Sequence, residues 1–204
     1  AYAMLANGGY QVNPHLVTSI ENNDGEVVYL AEKLAAQQVI DPRAAYTMHS
    51  ILRDVIDDGT GARAKALKRK DIRGKTGTTN ELQDAWFSGF NSELVASVWA
   101  GYDQPASTGE YGANLALPMW IDFIQTALAD EPEKFLPRPN GLTTVRIDPK
   151  NGLLASPGQT DAIFEIFYSE RVPKESSQPS NPTGNPLNPA ASSETEELPP
   201  EALF

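Results

Sequence analysis

The chain has 204 residues, and its 16 Lys and Arg against 27 Asp and Glu give a formal net charge of −11, which argues against nucleic acid as a partner. It has no Cys, and His15 and His49 lie far apart, so we expect no disulfide, no thiol catalyst, no metal site and no cofactor. No apolar run could span a bilayer, and the start lacks the basic segment of a signal peptide, so we expect any membrane anchor to lie outside this chain.

The start of the chain is typical of the end of a helix. Residues 1–6 are mostly apolar, and Gly8-Gly9 follows at the position where a helix commonly ends. The chain also does not begin with Met. We therefore expect a fragment that begins inside a helix.

The next segments predict a surface hairpin and then an amphipathic helix. Residues 15–21 and 26–30 favour strands, and Asp24-Gly25 between them suits a tight turn. Asp41-Pro42 then provides a helix cap with proline at the first helical position. The apolar residues that follow recur at helical spacing up to about Gly59, and they are Ala45, Met48, Leu52 and Val55. His49 lies within this helix, and we interpret it as an ordinary, partly buried residue.

The middle of the chain predicts an antiparallel meander followed by a second helix. Residues 72–79, 84–90 and 94–102 show strand periodicity and are separated by short polar stretches. Pro118 is compatible with the first turn of a helix whose apolar face holds Leu117, Trp120, Ile121, Ile124 and Leu128. We therefore predict an α+β fold in which helices cover an antiparallel sheet.

Two further strands are expected after the second helix. Residues 143–148 and 162–168 favour strands, and residues 149–152 between them favour a turn. Asp148 does not begin a calcium loop, because Lys150 occupies a position where such a loop needs an oxygen ligand. From residue 173 onward the chain is rich in Pro, Ser and Glu, which is typical of a disordered tail.

Residues 74–80, which read Gly-Lys-Thr-Gly-Thr-Thr-Asn, carry the densest chemical signal. They are not a phosphate-binding loop, because Arg69 stands where that motif requires glycine. Residues 59–64 do not form a dinucleotide-binding motif either, since a predicted helix precedes them instead of a strand.

A carboxylate-binding strand is a third interpretation of the same residues. On a strand, Lys75, Gly77 and Thr79 would face one way while Thr76 and Thr78 face the other. Lys75 and the two hydroxyls could then hold a carboxylate, and an exposed backbone N–H could stabilise an oxyanion. The alternative is a plain edge strand whose threonines serve only β-propensity.

Four segments in chain order resemble the signatures of class A penicillin-binding proteins, most closely those of the 1A type. They are residues 59–61 (Gly-Thr-Gly), 74–80, 84–90 (Asp-Ala-Trp-Phe-Ser-Gly-Phe) and 98–103 (Val-Trp-Ala-Gly-Tyr-Asp). The opening at residues 2–9 and the stretch at 152–158 are similar too. The resemblance covers about residues 1–168. It implies the transpeptidase fold of this family, which is also that of the serine β-lactamases: an antiparallel sheet with helices packed on its faces.

The resemblance also implies roles for the strand residues. Lys75 would assist proton transfer and attract the substrate carboxylate, Thr76 and Thr78 would bind that carboxylate, and the Thr78 N–H would donate to the oxyanion. Gly77 and Thr79 complete the expected substrate-binding strand. The family's catalytic serine lies in a Ser-x-x-Lys motif and acts with a Ser-x-Asn motif, and neither motif occurs in this sequence. We expect both in an upstream part of the same protein.

Two neighbouring features have simpler interpretations. The basic run between residues 63 and 75 could favour an anionic substrate, but we favour its interpretation as a solvated, partly mobile loop that needs no function. It consists of Arg63, Lys65, Lys68, Arg69, Lys70, Arg73 and Lys75, with Asp71 as its single acid. The aromatic residues of the strands are expected to belong to the core rather than to a substrate platform; they are Trp86, Phe87, Phe90 and Trp99.

The domain organisation follows from the resemblance. Residues 1–130 would be the C-terminal part of a transpeptidase domain, residues 131–172 a strand-and-turn extension, and residues 173–204 the tail. The complete protein would be a bifunctional glycosyltransferase and DD-transpeptidase on the periplasmic face of the inner membrane, and this chain alone would be inactive. Its partners would be the D-Ala-D-Ala stem peptide of peptidoglycan, β-lactams, the upstream part of the protein and an activator protein. The alternatives are a non-catalytic penicillin-recognition module and a carboxypeptidase or β-lactamase relative.

Overall fold

The computed structural model describes residues 1–32 and 35–174, which form three helices and seven strands. The helices are α1 (Tyr2–Ala6), α2 (Pro42–Asp57) and α3 (Ala116–Ala127). The strands are β1 (Ser19–Glu21), β2 (Val27–Leu30), β3 (Arg73–Thr78), β4 (Ala85–Phe90), β5 (Val95–Ala100), β6 (Leu142–Ile147) and β7 (Ile163–Tyr168). A 3-10 helix, Ala62–Leu67, connects α2 to β3.

Strands β3, β4 and β5 form the predicted antiparallel meander, in that spatial order. Thr76 pairs with Phe87, and Lys75 pairs with Ser88. Directly paired residues of antiparallel strands point to the same side of the sheet. The two threonines of β3 therefore lie on the face that carries Phe87, whereas Lys75 lies on the opposite face, as the alternation predicts.

Helix α3 covers the Phe87 face and completes the main core. Trp120 is fully buried, its ring lies 4.9 Å from that of Phe87, and its indole N–H donates to the Ala96 carbonyl at 3.0 Å. This approach depends on Gly89, because a Cβ there would lie 2.4 Å from Cζ2 of Trp120. Packing of this kind explains why the predicted apolar stripe of α3 is buried at Leu117 and Ile124.

Helices α1 and α2 cover only one end of the opposite face. There Phe90 packs with Ala6 of α1 and Leu52 of α2 in a second, smaller core. Trp86 and Trp99 lie at the other end of this face and are 41% and 44% exposed. The prediction that all four strand aromatics belong to the core is therefore right for Phe87 and Phe90 and wrong for the two tryptophans, because nothing in the described residues covers that end.

The predicted ends of α1 and α2 are confirmed. Helix α1 ends at Ala6, just before Gly8 and Gly9, which both adopt positive φ. Asp41 caps α2 by accepting a hydrogen bond from the Arg43 N–H at 2.7 Å, with Pro42 at the first helical position. Its side chain satisfies one of the free backbone donors at the helix start, which is why this sequence begins a helix here.

Two further antiparallel hairpins flank this core. The β1–β2 hairpin is exposed, as predicted, and Gly25 in its turn has a φ of +80°. Strands β6 and β7 pair over their full lengths, and Lys150 N–H donates to the Asp148 side chain in the turn that follows β6. From residue 175 onward the predicted tail lies outside the described residues, and within the described ranges no helix is long and apolar enough to cross a membrane.

Candidate active site

The open side of strand β3 presents the backbone donors of the Lys-Thr-Gly-Thr segment. The Thr79 N–H donates to the Asp84 carbonyl at 3.1 Å, towards the β4 side. Because successive N–H groups of a strand point in opposite directions, those of Thr78 and Thr76 point away from β4. No other strand of the described residues pairs with β3 on that side. The segment therefore offers free N–H donors along an edge, which is the geometry that an extended peptide or a developing oxyanion needs.

The Lys75 side chain is exposed and folds back over its own strand. Its Nζ donates to the Thr76 carbonyl at 2.9 Å and lies 3.5 Å from the Thr76 hydroxyl oxygen. It makes no ion pair with any carboxylate of the described residues. The ammonium is thus free to attract an incoming carboxylate beside a hydroxyl that can donate to it.

The Thr76 hydroxyl is positioned by a residue that the sequence argument did not assign. Its oxygen lies 2.8 Å from the hydroxyl oxygen of Thr60, which precedes the 3-10 helix. One of the two hydroxyls donates to the other, so the pair has one proton left to donate to a ligand. The available sequence signal was the Gly-Thr-Gly motif of residues 59–61, whose contact with β3 only the fold reveals.

The Thr78 hydroxyl is held by the segment that leads into α3. Its oxygen accepts a hydrogen bond from the Gly112 N–H at 3.0 Å, which leaves the hydroxyl proton free to donate. Glycine is required there, because a Cβ on Gly112 would lie 2.5 Å from the Gly77 carbonyl oxygen. No sequence pattern pointed to Gly112, since the contact joins residues 34 positions apart.

The Thr79 side chain closes the connection between β3 and β4. Its hydroxyl accepts from the Asp84 N–H at 2.8 Å and lies 3.3 Å from the Asp84 carboxylate, which in turn accepts from the Trp99 indole N–H at 2.8 Å. This network fixes the C-terminal end of β3. A direct part for Thr79 in substrate binding stays a prediction.

The basic run before the site is only partly solvated. Arg63, Lys65, Lys68 and Lys70 are exposed, but Arg69 forms a two-pronged ion pair with the fully buried Asp71, with N–O distances of 2.9 and 2.8 Å. Burial raises the pKa of Asp71, and hydrogen bonds from Arg69, the Lys134 N–H and Asn91 outweigh it, so the pKa lies below its usual value. The interpretation of the whole run as a solvated loop is therefore wrong for Arg69, which is paired with a buried acid.

Comparison with known proteins identifies the family. The family model of the penicillin-binding protein transpeptidase domain matches residues 1–116, more than half of the chain. The chain belongs to the penicillin-binding protein transpeptidase family. The matched range contains the whole β3–β5 meander and the residues of the candidate site.

Individual relatives agree with this assignment. Penicillin-binding protein 1A of Pseudomonas aeruginosa is 39% identical over 92% of this chain and 29% of its own length. Its counterpart in Neisseria meningitidis is 41% identical over 78% of this chain and 21% of its own length. The chain thus spans less than a third of the length of these curated relatives.

Solved structures of the family share the fold. Penicillin-binding protein 1A from Haemophilus influenzae superposes with a TM-score of 0.80 at 29% identity, over 87% of this chain and 32% of that one. The penicillin-binding protein PonA1 from Mycobacterium tuberculosis gives a TM-score of 0.57 at 25% identity, over 68% of this chain and 39% of that one. The predicted transpeptidase-like fold is confirmed.

Proposed function

We propose that this chain supplies the substrate-binding strand of a serine DD-transpeptidase that cross-links peptidoglycan. The observation that carries the proposal is the β3 edge of a penicillin-binding protein transpeptidase domain, where the unpaired ammonium of Lys75 lies beside the Thr76 hydroxyl. A free cation, two hydroxyls and outward N–H donors match the needs of a peptide that ends in a carboxylate.

The proposed chemistry is acyl transfer. A serine Oγ attacks the carbonyl between the two terminal D-Ala residues, D-Ala leaves with a proton on its amine, and an ester forms. An amine of a neighbouring stem peptide then attacks the ester, a new amide forms, and the serine regains its proton. A β-lactam would acylate the same serine by opening its ring.

The strand residues take the roles that match these steps. Lys75 attracts the terminal carboxylate and assists proton transfer, and Thr76 and Thr78 donate to that carboxylate. The Thr78 N–H donates to the oxyanion while the tetrahedral intermediate exists, when that bond stabilises most. Gly77 leaves room for the bound backbone.

The serine belongs to a part of the protein outside these residues. None of the chain's serines has Lys three positions later or Asn two positions later. We further propose that the complete protein is a bifunctional glycosyltransferase and transpeptidase at the periplasmic face of the inner membrane, and that residues 1–130 and 131–172 are a domain part and its extension. An activator protein is a further proposed partner.

A non-catalytic penicillin-recognition module is the second candidate. In that case the β3 edge would bind a peptide without acylation. Carboxypeptidase and β-lactamase relatives use the same constellation and would be distinguished by their products.

Labelling with a fluorescent penicillin tests the proposal. The complete protein should gain a label that survives denaturation, and the purified chain of 204 residues should gain none. Restoring the upstream part by co-expression should restore the label on that part. A stable label on the chain alone would show that the serine assignment is wrong, and an unlabelled complete protein would favour the non-catalytic module.

A further inference from the structure

A pocket of about 130 Å³ lies next to the start of β3. Its walls come from α2, the start of β3, the turn between β4 and β5, residues 134–136 and β7. None of Lys75, Thr76 and Thr78 lines it, so it is separate from the substrate edge. This volume leaves room for an oxyanion of a few atoms.

The charged residues of this pocket are paired, with one exception. Arg53 binds Asp57 through two bonds of 2.7 and 2.6 Å, Lys134 binds Glu93 at 2.6 Å, and Asp71 binds Arg69. Arg73 has no ion pair within the described residues. The pocket therefore carries one uncompensated positive charge.

The Arg73 guanidinium leaves one edge without a partner. Its Nη1 donates to the Lys70 and Ile72 carbonyls at 2.8 and 2.9 Å. Its Nε is shielded from solvent and unpaired, and Nη2 makes no hydrogen bond within residues 1–32 and 35–174. Nη2 is therefore the charged donor of Arg73 that an oxygen of a carboxylate or phosphate can reach.

Neighbouring groups would support such a ligand. The Tyr46 and Ser50 side chains line the same pocket, and neither hydroxyl makes a hydrogen bond inside the part of the chain that the structure describes. Burial and the charge of Arg53 lower the pKa of Arg73 by more than the nearby Asp71 and Asp57 carboxylates raise it.

We propose that this pocket binds a small oxyanion, a carboxylate or a phosphate group, through Nη2 of Arg73, with Tyr46 and Ser50 as additional donors. The site would be separate from the one that holds the substrate carboxylate at Lys75. It does not depend on the acyl-transfer chemistry proposed above.

Thermal unfolding of the complete protein tests this inference. Acetate and inorganic phosphate are titrated separately at constant ionic strength, with chloride as the balancing anion, so that general screening is held fixed. Wild-type protein should show a saturable rise in Tm with at least one of the two anions. Arg73→Gln should raise the midpoint concentration about tenfold or abolish the rise, because a charge-assisted pair is lost.

Two further variants make the result decisive. Arg73→Lys keeps the charge but shortens the side chain and removes the Nη2 donor, so it should also weaken the response. It serves if Arg73→Gln does not fold. Arg138→Gln removes an exposed arginine elsewhere and should respond like wild type. A flat response to both anions in wild-type protein, or a midpoint unchanged in Arg73→Lys, would overturn the proposal.

Discussion

Asp71 is a fully buried carboxylate that stays charged because donors from three parts of the chain converge on it. Arg69 approaches from the preceding loop, Asn91 from the β4–β5 turn at 3.1 Å, and the Lys134 N–H from the segment after α3 at 3.2 Å. These bonds hold the chain two residues before β3 begins at Arg73, and so three residues before Gly74. The sequence showed only an acid within a basic run, since the donors are up to 63 residues away.

Asp71→Asn should lower the free energy of unfolding by about 3 kcal/mol, because it leaves the Arg69 charge without its buried partner. Urea denaturation measures this change. Asp161→Asn is the matched control, since Asp161 is exposed and its pair with Lys150 is open to solvent, and its unfolding curve should match wild type. Equal curves for both variants would mean that the Asp71 network contributes nothing.

The contact between α1 and α2 depends on His49. Its Nε2–H donates to the Leu5 carbonyl at 2.8 Å, and its ring packs edge-on against Phe90 at 5.0 Å between centroids. Burial lowers its pKa from the usual value of 6.5, and the charge of Arg73 acts in the same direction. Folding therefore keeps this ring neutral, as expected for an ordinary buried helix residue.

This shift predicts how stability depends on pH. Well above pH 6.5 the His49 ring is neutral in both the folded and the unfolded chain, and its contribution to the free energy of unfolding is fully present. As the pH falls below that value the unfolded chain binds the proton more readily, so the free energy of unfolding decreases. His49→Gln should flatten the slope between neutral and mildly acidic pH, and His15→Gln should leave it unchanged. An unaltered slope in His49→Gln would contradict this account.

The docking of α3 on the sheet depends on the absence of a side chain at Gly89. Gly89→Ala should cost about 1 to 3 kcal/mol, because the added Cβ meets the indole ring of Trp120. Trp120→Phe removes the ring atoms that clash, so Gly89→Ala should cost less in that background. A double-mutant cycle in urea denaturation measures the coupling between the two positions. Strictly additive costs would show that the clash with Trp120 does not cause the loss of stability in Gly89→Ala.

Local sequence signals predicted the helices and strands. They did not predict which faces of those elements are buried, because distant segments of the chain decide that. The cap at Asp41 and Pro42 and the strand alternation before Phe90 are local, and α2 and the meander occur where expected. The exposure of Trp86 and Trp99 was missed because alternation gives the face of a residue and not what lies over that face. The inward position of Arg69 was missed for the same reason.

At the scale of the whole molecule, the candidate site lies at the edge of its sheet. The relatives are more than three times as long as the part that this chain matches, and the β3 edge is the outermost strand of its sheet within the described residues. Lys75, Thr76 and Thr78 could be assigned because their motif is short and continuous. Thr60 and Gly112, which position the hydroxyls, could not, because the fold alone brings them to β3.

The rate of acylation by a fluorescent penicillin, measured on the complete protein with Lys75→Ala, tests the central claim most directly. Loss of the ammonium should slow acylation by about 100-fold or more, because it removes both the charge that attracts the carboxylate and the group that assists proton transfer. The fold should be retained, since Lys75 is exposed. Lys65→Ala removes an exposed lysine of the same basic run and should acylate at the wild-type rate. Acylation of Lys75→Ala at the rate of Lys65→Ala would contradict the assignment of β3 as the substrate-binding strand.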